Sequence, residues 1–194
     1  MFKAPRDVPF SCSCGTVTGT LRGASPAIGN HLECFCKDCR AAEVYSGQPD
    51  TPSVALFQTT PDRIVFDRGA DQLAVFSFGE TNILRWHTKC CGSVIGNTLR
   101  NPKIAFSSIR VALLSQPDAL GRVTTKAFYK TVKGKPQHKG MARFVWDVFS
   151  RVTAARVTGR WKDTPFFDPE TLKPVQEVHV VPKAERAEIT ARLV

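Results

Sequence analysis

Residues 54–76 read Val54-Ala55-Leu56-Phe57-Gln58-Thr59-Thr60-Pro61-Asp62-Arg63-Ile64-Val65-Phe66-Asp67-Arg68-Gly69-Ala70-Asp71-Gln72-Leu73-Ala74-Val75-Phe76. Three short runs rich in branched and aromatic side chains lie in this stretch: Val54–Phe57, Arg63–Phe66 and Leu73–Phe76. The breaks between and after them are turn chemistry, Thr60-Pro61-Asp62, Asp67-Arg68-Gly69 and Phe78-Gly79. Runs of this kind, closed by Pro, Gly and Asp, read as β-strands. Strands that follow one another this closely leave no room for crossover helices, so the pattern predicts a mainly β fold rather than βαβ units.

The pattern extends in both directions. On the N-terminal side Val17, Gly19 and Leu21 alternate with polar residues, and on the C-terminal side Ile83–His87 and a strand starting at Lys103-Ile104-Ala105-Phe106 continue the series. No internal repeat of 20 to 50 residues is visible. Past residue 115 the period changes. Met141, Phe144, Val145, Val148, Phe149, Val152 and Ala155 recur at helical spacing, with Arg143, Asp147, Ser150 and Arg151 opposite, which predicts an amphipathic helix over about 140–158 ending near Gly159. Residues Asp163 to Pro174 are turn-rich and aromatic, a packed loop, and Pro182 opens a short helix through Glu185, Glu188 and Ile189. Two parts result: a β domain at 1–115, and a C-terminal extension at 116–194 packed on that domain. Trp86 and Trp146 are expected in the core.

With 42% hydrophobic and 23% charged residues the chain of 194 is globular rather than disordered. No apolar run approaches the roughly 20 residues of a membrane span, and Met1-Phe2-Lys3-Ala4-Pro5-Arg6-Asp7 lacks the apolar core of a secretory signal. A cytoplasmic protein without membrane contact is the expectation. Seven cysteines in such a chain call for explanation. The number is odd, and a reducing compartment disfavours disulfides. They form tight groups, Cys12 with Cys14, then Cys34, Cys36 and Cys39, then Cys90 with Cys91. Thiolates at C-x-C and C-x-x-C spacing converge as a tetrahedral ion requires, and zinc is the expected metal, as one or two ions.

The clusters divide by ligand number. Cys34-Phe35-Cys36-Lys37-Asp38-Cys39 offers three ligands and leaves a fourth position open, the usual arrangement of catalytic zinc. Cys12 and Cys14, joined by cysteine from residues 86–92, would form a closed, structural site. Such a site contributes roughly 10–16 kcal/mol of apparent binding free energy and can hold loops that a core alone would not.

In order, Cys12-Ser13-Cys14-Gly15, then Cys34–Cys39 with Arg40, then Pro61-Asp62-Arg63-Ile64-Val65-Phe66-Asp67-Arg68-Gly69, Phe76-Ser77-Phe78-Gly79 and Cys91-Gly92-Ser93 resemble the glutathione-dependent formaldehyde-activating enzyme family, which includes centromere protein V. The resemblance covers about residues 8–110. It implies a tent-like arrangement of small antiparallel sheets and two zinc ions. One would be structural, with Cys12, Cys14 and Cys91; the other, on Cys34, Cys36 and Cys39, is proposed to be catalytic. It also implies a carbon–sulfur lyase activity that joins glutathione, or a similar thiol, to formaldehyde. Zinc suits that chemistry because it binds a thiol and stabilises its thiolate. One position departs from the family's F-C-x-x-C-G: Thr88 stands where that pattern has cysteine, and Cys90 adjoins Cys91 instead. Cys90 is favoured as the fourth ligand. His87 as ligand, an incomplete site and a vicinal Cys90–Cys91 disulfide remain as alternatives.

Among other polar residues, His31 reads as a strand residue, with ligand or proton carrier as the alternative. His138 falls in a flexible basic loop, and His179 in an apolar run as a structural residue. Glu33 and Asp38 are the carboxylates nearest the three-cysteine cluster and read as solvated loop charges, with a general base as the alternative. The net charge of +10 is concentrated: residues 122–162 carry eleven basic residues against Asp147 alone, leaving 16 basic and 16 acidic residues elsewhere. Such a patch reads first as a soluble surface with an amphipathic packing helix, with attraction of an anionic small substrate or of nucleic-acid phosphates as the alternatives. The first functional expectation is therefore a zinc enzyme acting on glutathione or a thiol adduct. The second is a non-catalytic zinc-stabilised module that meets nucleic acid or a protein through 122–162, with Lys133, Lys135 and Lys139 as its testable contacts.

Overall fold

The computed structural model describes residues 4–130 and 134–193, so that Lys133 lies outside the described residues. In chain order the elements are β1 (Arg6–Ser11), β2 (Thr18–Ala24), β3 (Asn30–Cys34), α1 (Lys37–Tyr45), β4 (Val54–Thr59), β5 (Ile64–Arg68), β6 (Leu73–Ser77), β7 (Leu84–Thr88), β8 (Val94–Thr98), β9 (Ser107–Arg110), β10 (Thr125–Lys130), β11 (Pro136–Lys139), α2 (Met141–Val157), β12 (Val178–Val180) and α3 (Lys183–Ala191). The fold is mainly β, with two sheets and three helices. The three turn-bounded runs of residues 54–76 are β4, β5 and β6.

One sheet has the order β1-β2-β5 and is antiparallel. Its centre needs Gly19, because a side chain there would collide with the Phe10 ring and the Val65 carbonyl. The other sheet has the order β11-β10-β3-β4-β9-β8-β7-β6-β12. Its interior is antiparallel, but β10 runs parallel to β3 and β12 parallel to β6. Both ends of this sheet are thus built from residues after 115, which cover edges that would otherwise offer unpaired backbone groups.

The two sheets share one core. Val8, Phe10, Leu21 and Ile64 from the small sheet meet Phe57, Trp86, Ile95 and Ile109 from the large one. A run of aromatic contacts crosses it, Phe10 to Phe66 at 5.5 Å, Phe66 to Phe166 at 5.9 Å and Phe166 to Trp86 at 4.9 Å between ring centroids. The loop at 163–174 therefore supplies core through Phe166 and Phe167. Trp86 is fully buried and its indole N–H donates to Thr98 Oγ1 at 3.0 Å.

Several elements differ from expectation. Lys103–Phe106 is a turn, and the strand begins at Ser107. The basic segment before Gly140 is not a flexible loop throughout, since Pro136–Lys139 is β11, paired with β10. Helix α1 interrupts the expected all-strand region. Helix α2 forms as expected but seats only part of its apolar surface. Met141 and Phe144 pack on the cluster of Leu32, Val54 and Leu56, Ala155 is buried, and Arg151 donates to the buried Gln58 Oε1. Val145, Trp146 and Phe149 are 57%, 68% and 63% exposed, so Trp146 is not a core residue. The helix has apolar groups around most of its circumference, and its neighbours bury only one side. Among the described residues, no helix is long and apolar enough to cross a membrane.

Candidate metal centres

All seven cysteines gather into two clusters, Cys12 with Cys14, Cys90 and Cys91, and Cys34 with Cys36 and Cys39, the sulfurs of each lying within 4.8 Å of one another. The four-cysteine cluster joins the two sheets. Cys12 and Cys14 lie in the turn between β1 and β2, and Cys90 and Cys91 in the turn between β7 and β8. Four sulfurs placed about 2.3 Å from one ion at the corners of a tetrahedron stand about 3.8 Å apart. The separations here are 3.5 Å for Cys12–Cys14, 3.5 Å for Cys14–Cys90, 3.9 Å for Cys12–Cys90 and 3.9 Å for Cys90–Cys91. These residues fit a tetrathiolate metal ion. Cys90 stands among them as an unbonded thiol, and no disulfide joins it to Cys91.

The surroundings are arranged to hold thiolates. The Val17 N–H donates to Cys12 Sγ at 3.2 Å. The Thr16 hydroxyl, 3.2 Å from Cys14, lowers that thiol from its ordinary value. Burial opposes ionisation of Cys91, but hydrogen bonds with Ser13, Ser93 and Thr88 bring it down to about 4. Thr88 is buried with its hydroxyl 3.3 Å from Cys91 Sγ, and it accepts the Ser93 N–H at 3.1 Å. The threonine thus braces the turn by hydrogen bonds at the edge of the cluster. His87 lies outside the cluster, edge-on to Phe76 at 5.3 Å, with burial lowering its pKa.

The three-cysteine cluster is local in sequence. Cys34 ends β3, Cys36 is the N-cap of α1, and Cys39 lies in its first turn. Cys36 Sγ accepts the Cys39 N–H at 3.3 Å and lies 3.3 Å from Cys34 Sγ. Hydrogen bonds from the Cys34 and Cys39 thiols, the Cys39 N–H and the Arg85 charge hold Cys36 down to about 2 against the cost of burial. The bond to Cys36 is the main cause that pushes Cys34 up to about 11, and Cys39 is likewise raised by its two neighbours and by burial. Cys36 is thus the sulfur favoured to carry negative charge, and a metal ion would replace the protons of its neighbours.

Helix α1 links the clusters. It is capped by Cys36, is nine residues long, and so spans about 13 Å. Past its end, Gln48 Nε2 donates to the Cys91 carbonyl at 3.0 Å. Gly92, with φ of +69°, faces the Ser46 carbonyl so closely that any side chain would run into it. Between the clusters Glu43 is buried, with Arg110 Nε 3.0 Å from its carboxylate and burial raising its pKa. Arg85 is 4% exposed and bonded to Asn97, while its Nε finds no hydrogen-bond partner among the described residues. Nothing in the local sequence marks Glu43, Arg85 or Arg110; they come together only through the pairing of β7, β8 and β9.

Other candidates are occupied. Glu33 bonds Ser53 at 2.7 Å and Lys126 at 3.0 Å, and Asp38 pairs with Arg186 at 2.7 Å, so neither is a solvated loop charge. His31 Nδ1 lies 2.8 Å from the Gly121 carbonyl within β3. His138 is on β11 against Phe128, and His179 on β12 is stacked on Tyr45 at 6.4 Å.

A family model matches residues 4–179, a span that includes both clusters. The chain belongs to DUF6151, a family of unknown function. The DUF6151 match ends before α3. A crystal structure of a Rhodobacter sphaeroides protein, a structural-genomics target, is similar over 59% of this DUF6151 chain and 96% of that one, at 24% identity and a TM-score of 0.42. Among curated proteins, none matches.

Proposed function

We propose that the protein is a zinc-dependent enzyme of the formaldehyde-activating type, related to the family that its motifs resemble, in which a small thiol such as glutathione adds to formaldehyde. The observation that carries this reading is the contrast in ligand number: four converging thiols in one cluster, three in the other. The first set is complete for a structural ion, and the second leaves one position for a ligand from solution. Zinc held by Cys34, Cys36 and Cys39 supplies Lewis acidity toward a thiol. The chain's own groups support the same end. The charge of Arg85 favours the anionic form of the Cys36 sulfur, and the cap of α1 fixes Cys36 in place. In the reaction the thiol sulfur bonds to the formaldehyde carbon, the C=O π bond breaks, and the thiol proton ends on the oxygen of the hydroxymethyl product. Metal analysis of purified protein with a glutathione titration tests this. Two zinc ions per chain and accelerated formaldehyde consumption by glutathione are expected; a chain without zinc, or one without effect on that reaction, overturns it.

A second reading, a non-catalytic module that binds single-stranded nucleic acid through residues 122–162, draws on the exposed Trp146 and Phe149 of α2 and on the cations beside Trp161, with Arg156 and Lys162 at 5.0 and 5.8 Å from its ring. Exposed aromatics among cations are what such strands stack on. This reading requires salt-dependent retention of single-stranded DNA that is lost in Lys135→Glu/Lys139→Glu protein.

A further inference from the structure

A cleft of about 1100 Å³ opens where α1, the turn after β6 and α3 meet. That is ample for a small-molecule ligand. Its wall includes Lys37 from α1, Phe78 and Glu80 from the turn, and Lys183 and Arg186 from α3. Arg186 is committed to Asp38 at 2.7 Å and to the Phe78 carbonyl at 3.2 Å, so Lys37 and Lys183 are the two lining cations left to meet a ligand, with Glu80 in the lining and Glu185 in the first turn of α3 as the acids nearby. Lys37 and Lys183 are the first residues of their helices, so two helix N-termini with their partial positive charge also lie at this cleft.

The cleft is connected to the three-cysteine centre in two ways. Lys37 sits between Cys36 and Cys39 in the chain. Phe78 carries a guanidinium over its ring from each of two arginines, Arg186 at 5.5 Å and Arg85 at 5.3 Å. Arg85 is 4% exposed, and its Nε is unpartnered among the described residues. Two guanidiniums, one in the cleft wall and one buried, thus share the Phe78 ring, and Lys37 brings the cleft wall to the cysteine motif.

We propose that this cleft binds the carboxylate-bearing end of a small thiol whose sulfur is handled at the three-cysteine centre, with Lys183 and Lys37 as the recognising cations. The proposal rests on the enzymatic reading above and goes beyond it by placing an anion subsite on α3, which lies outside the residues matched by the family model. A carboxylate fits because Lys37 and Lys183 offer two separated ammonium donors from two different helices.

The test uses the full chain with its metal and S-methylglutathione, which keeps both carboxylates but has no free thiol. Calorimetric titration is expected to show binding that weakens with added salt. Lys183→Glu is expected to lower the affinity about tenfold or more, and Lys183→Arg to restore it to within about threefold. Lys183 is exposed, so the metal content and thermal melt of both variants should match the parent and exclude misfolding. Absence of binding to the parent, or equal affinity in parent and Lys183→Glu, overturns the proposal. The reading beneath it has a separate readout: S-methylglutathione binding that depends on Lys183, with no glutathione-dependent consumption of formaldehyde, sinks the enzymatic reading and keeps the cleft.

Discussion

The two cysteine clusters use the same side chain for opposite structural purposes. The four-cysteine cluster is assembled from two turns about 80 residues apart in sequence, so closing it fixes one sheet against the other. The three-cysteine cluster spans six residues at a strand–helix junction, where the backbone already has its own support from the α1 cap and from the Phe35 N–H donating to the Ala127 carbonyl at 2.8 Å. A metal closing a long loop removes much chain entropy, and one closing a short loop removes little. The same atoms, thiolate and metal, should therefore stabilise the fold at the first cluster and serve chemistry at the second.

Paired substitutions put this contrast at risk most directly. Cys14 is exposed, so its thiol has little packing role, and Cys14→Ser should act almost entirely through the metal. With three of four ligands left, the substitution is expected to remove only part of the roughly 10–16 kcal/mol of such a site, on the order of 5 kcal/mol, which at about 2–4 °C per kcal/mol lowers Tm by about 10–20 °C. Cys36→Ser keeps a good N-cap residue on α1 and is expected to cost about 1 kcal/mol while removing one metal ion and the glutathione-dependent activity. Thermal melts with metal analysis of the two proteins decide it. A Cys36→Ser protein less stable than Cys14→Ser would reverse the assignment of roles.

Much of this contrast was legible in the sequence, and what was not has physical causes. The runs at Val54, Ile64 and Leu73 are bounded by Pro, Gly and Asp, and local turn chemistry sufficed to place β4, β5 and β6. The grouping of the cysteines was visible in their spacing, and so was the difference in ligand number. Helix α1 was hidden because it is short and begins inside the cysteine motif, where metal-ligand spacing and helical spacing coincide. Strands β10 and β12 were hidden because each pairs in parallel with a strand far back in the chain, and neighbouring residues carry no sign of such pairing. Trp146 misled because α2 has apolar side chains on more than one face; only the tertiary neighbours decide which is covered. The Glu43–Arg110 pair and Arg85 are unremarkable charges until the fold brings β9 and β7 up to α1.

Thr88 offers an intermediate test, confined to the four-cysteine cluster. Its hydroxyl already lies 3.3 Å from Cys91 Sγ, so a sulfur at position 88 would stand at the rim of the tetrahedron. Cys90→Ser alone removes one of four ligands and is expected to weaken metal binding there by more than the about 10–100-fold that loss of a hydrogen-bond partner around a ligand costs. Adding Thr88→Cys to Cys90→Ser should recover most of that affinity, read by competition with a chromophoric chelator. If the double variant binds no better than Cys90→Ser, position 88 does not reach the ion, and Cys90 holds its place by geometry that threonine cannot be exchanged into.

The smallest expected effect concerns whether the clusters are independent at all, since α1 runs from one to the other. Cys36 caps the start of the helix, and the turn after it meets the second cluster through Gln48, which donates to the Cys91 carbonyl at 3.0 Å. Gln48→Ala removes that bond and little else, at a cost of about 1 kcal/mol or about 2–4 °C in Tm. If the centres are energetically separate, metal should leave the four-cysteine cluster a few times faster in the presence of chelator, while the rate at the three-cysteine cluster stays unchanged. If both rates rise together, the rigid helix transmits strain between them. The entropic contrast drawn from loop length would then describe how each cluster forms, but not how the two behave once α1 has joined them.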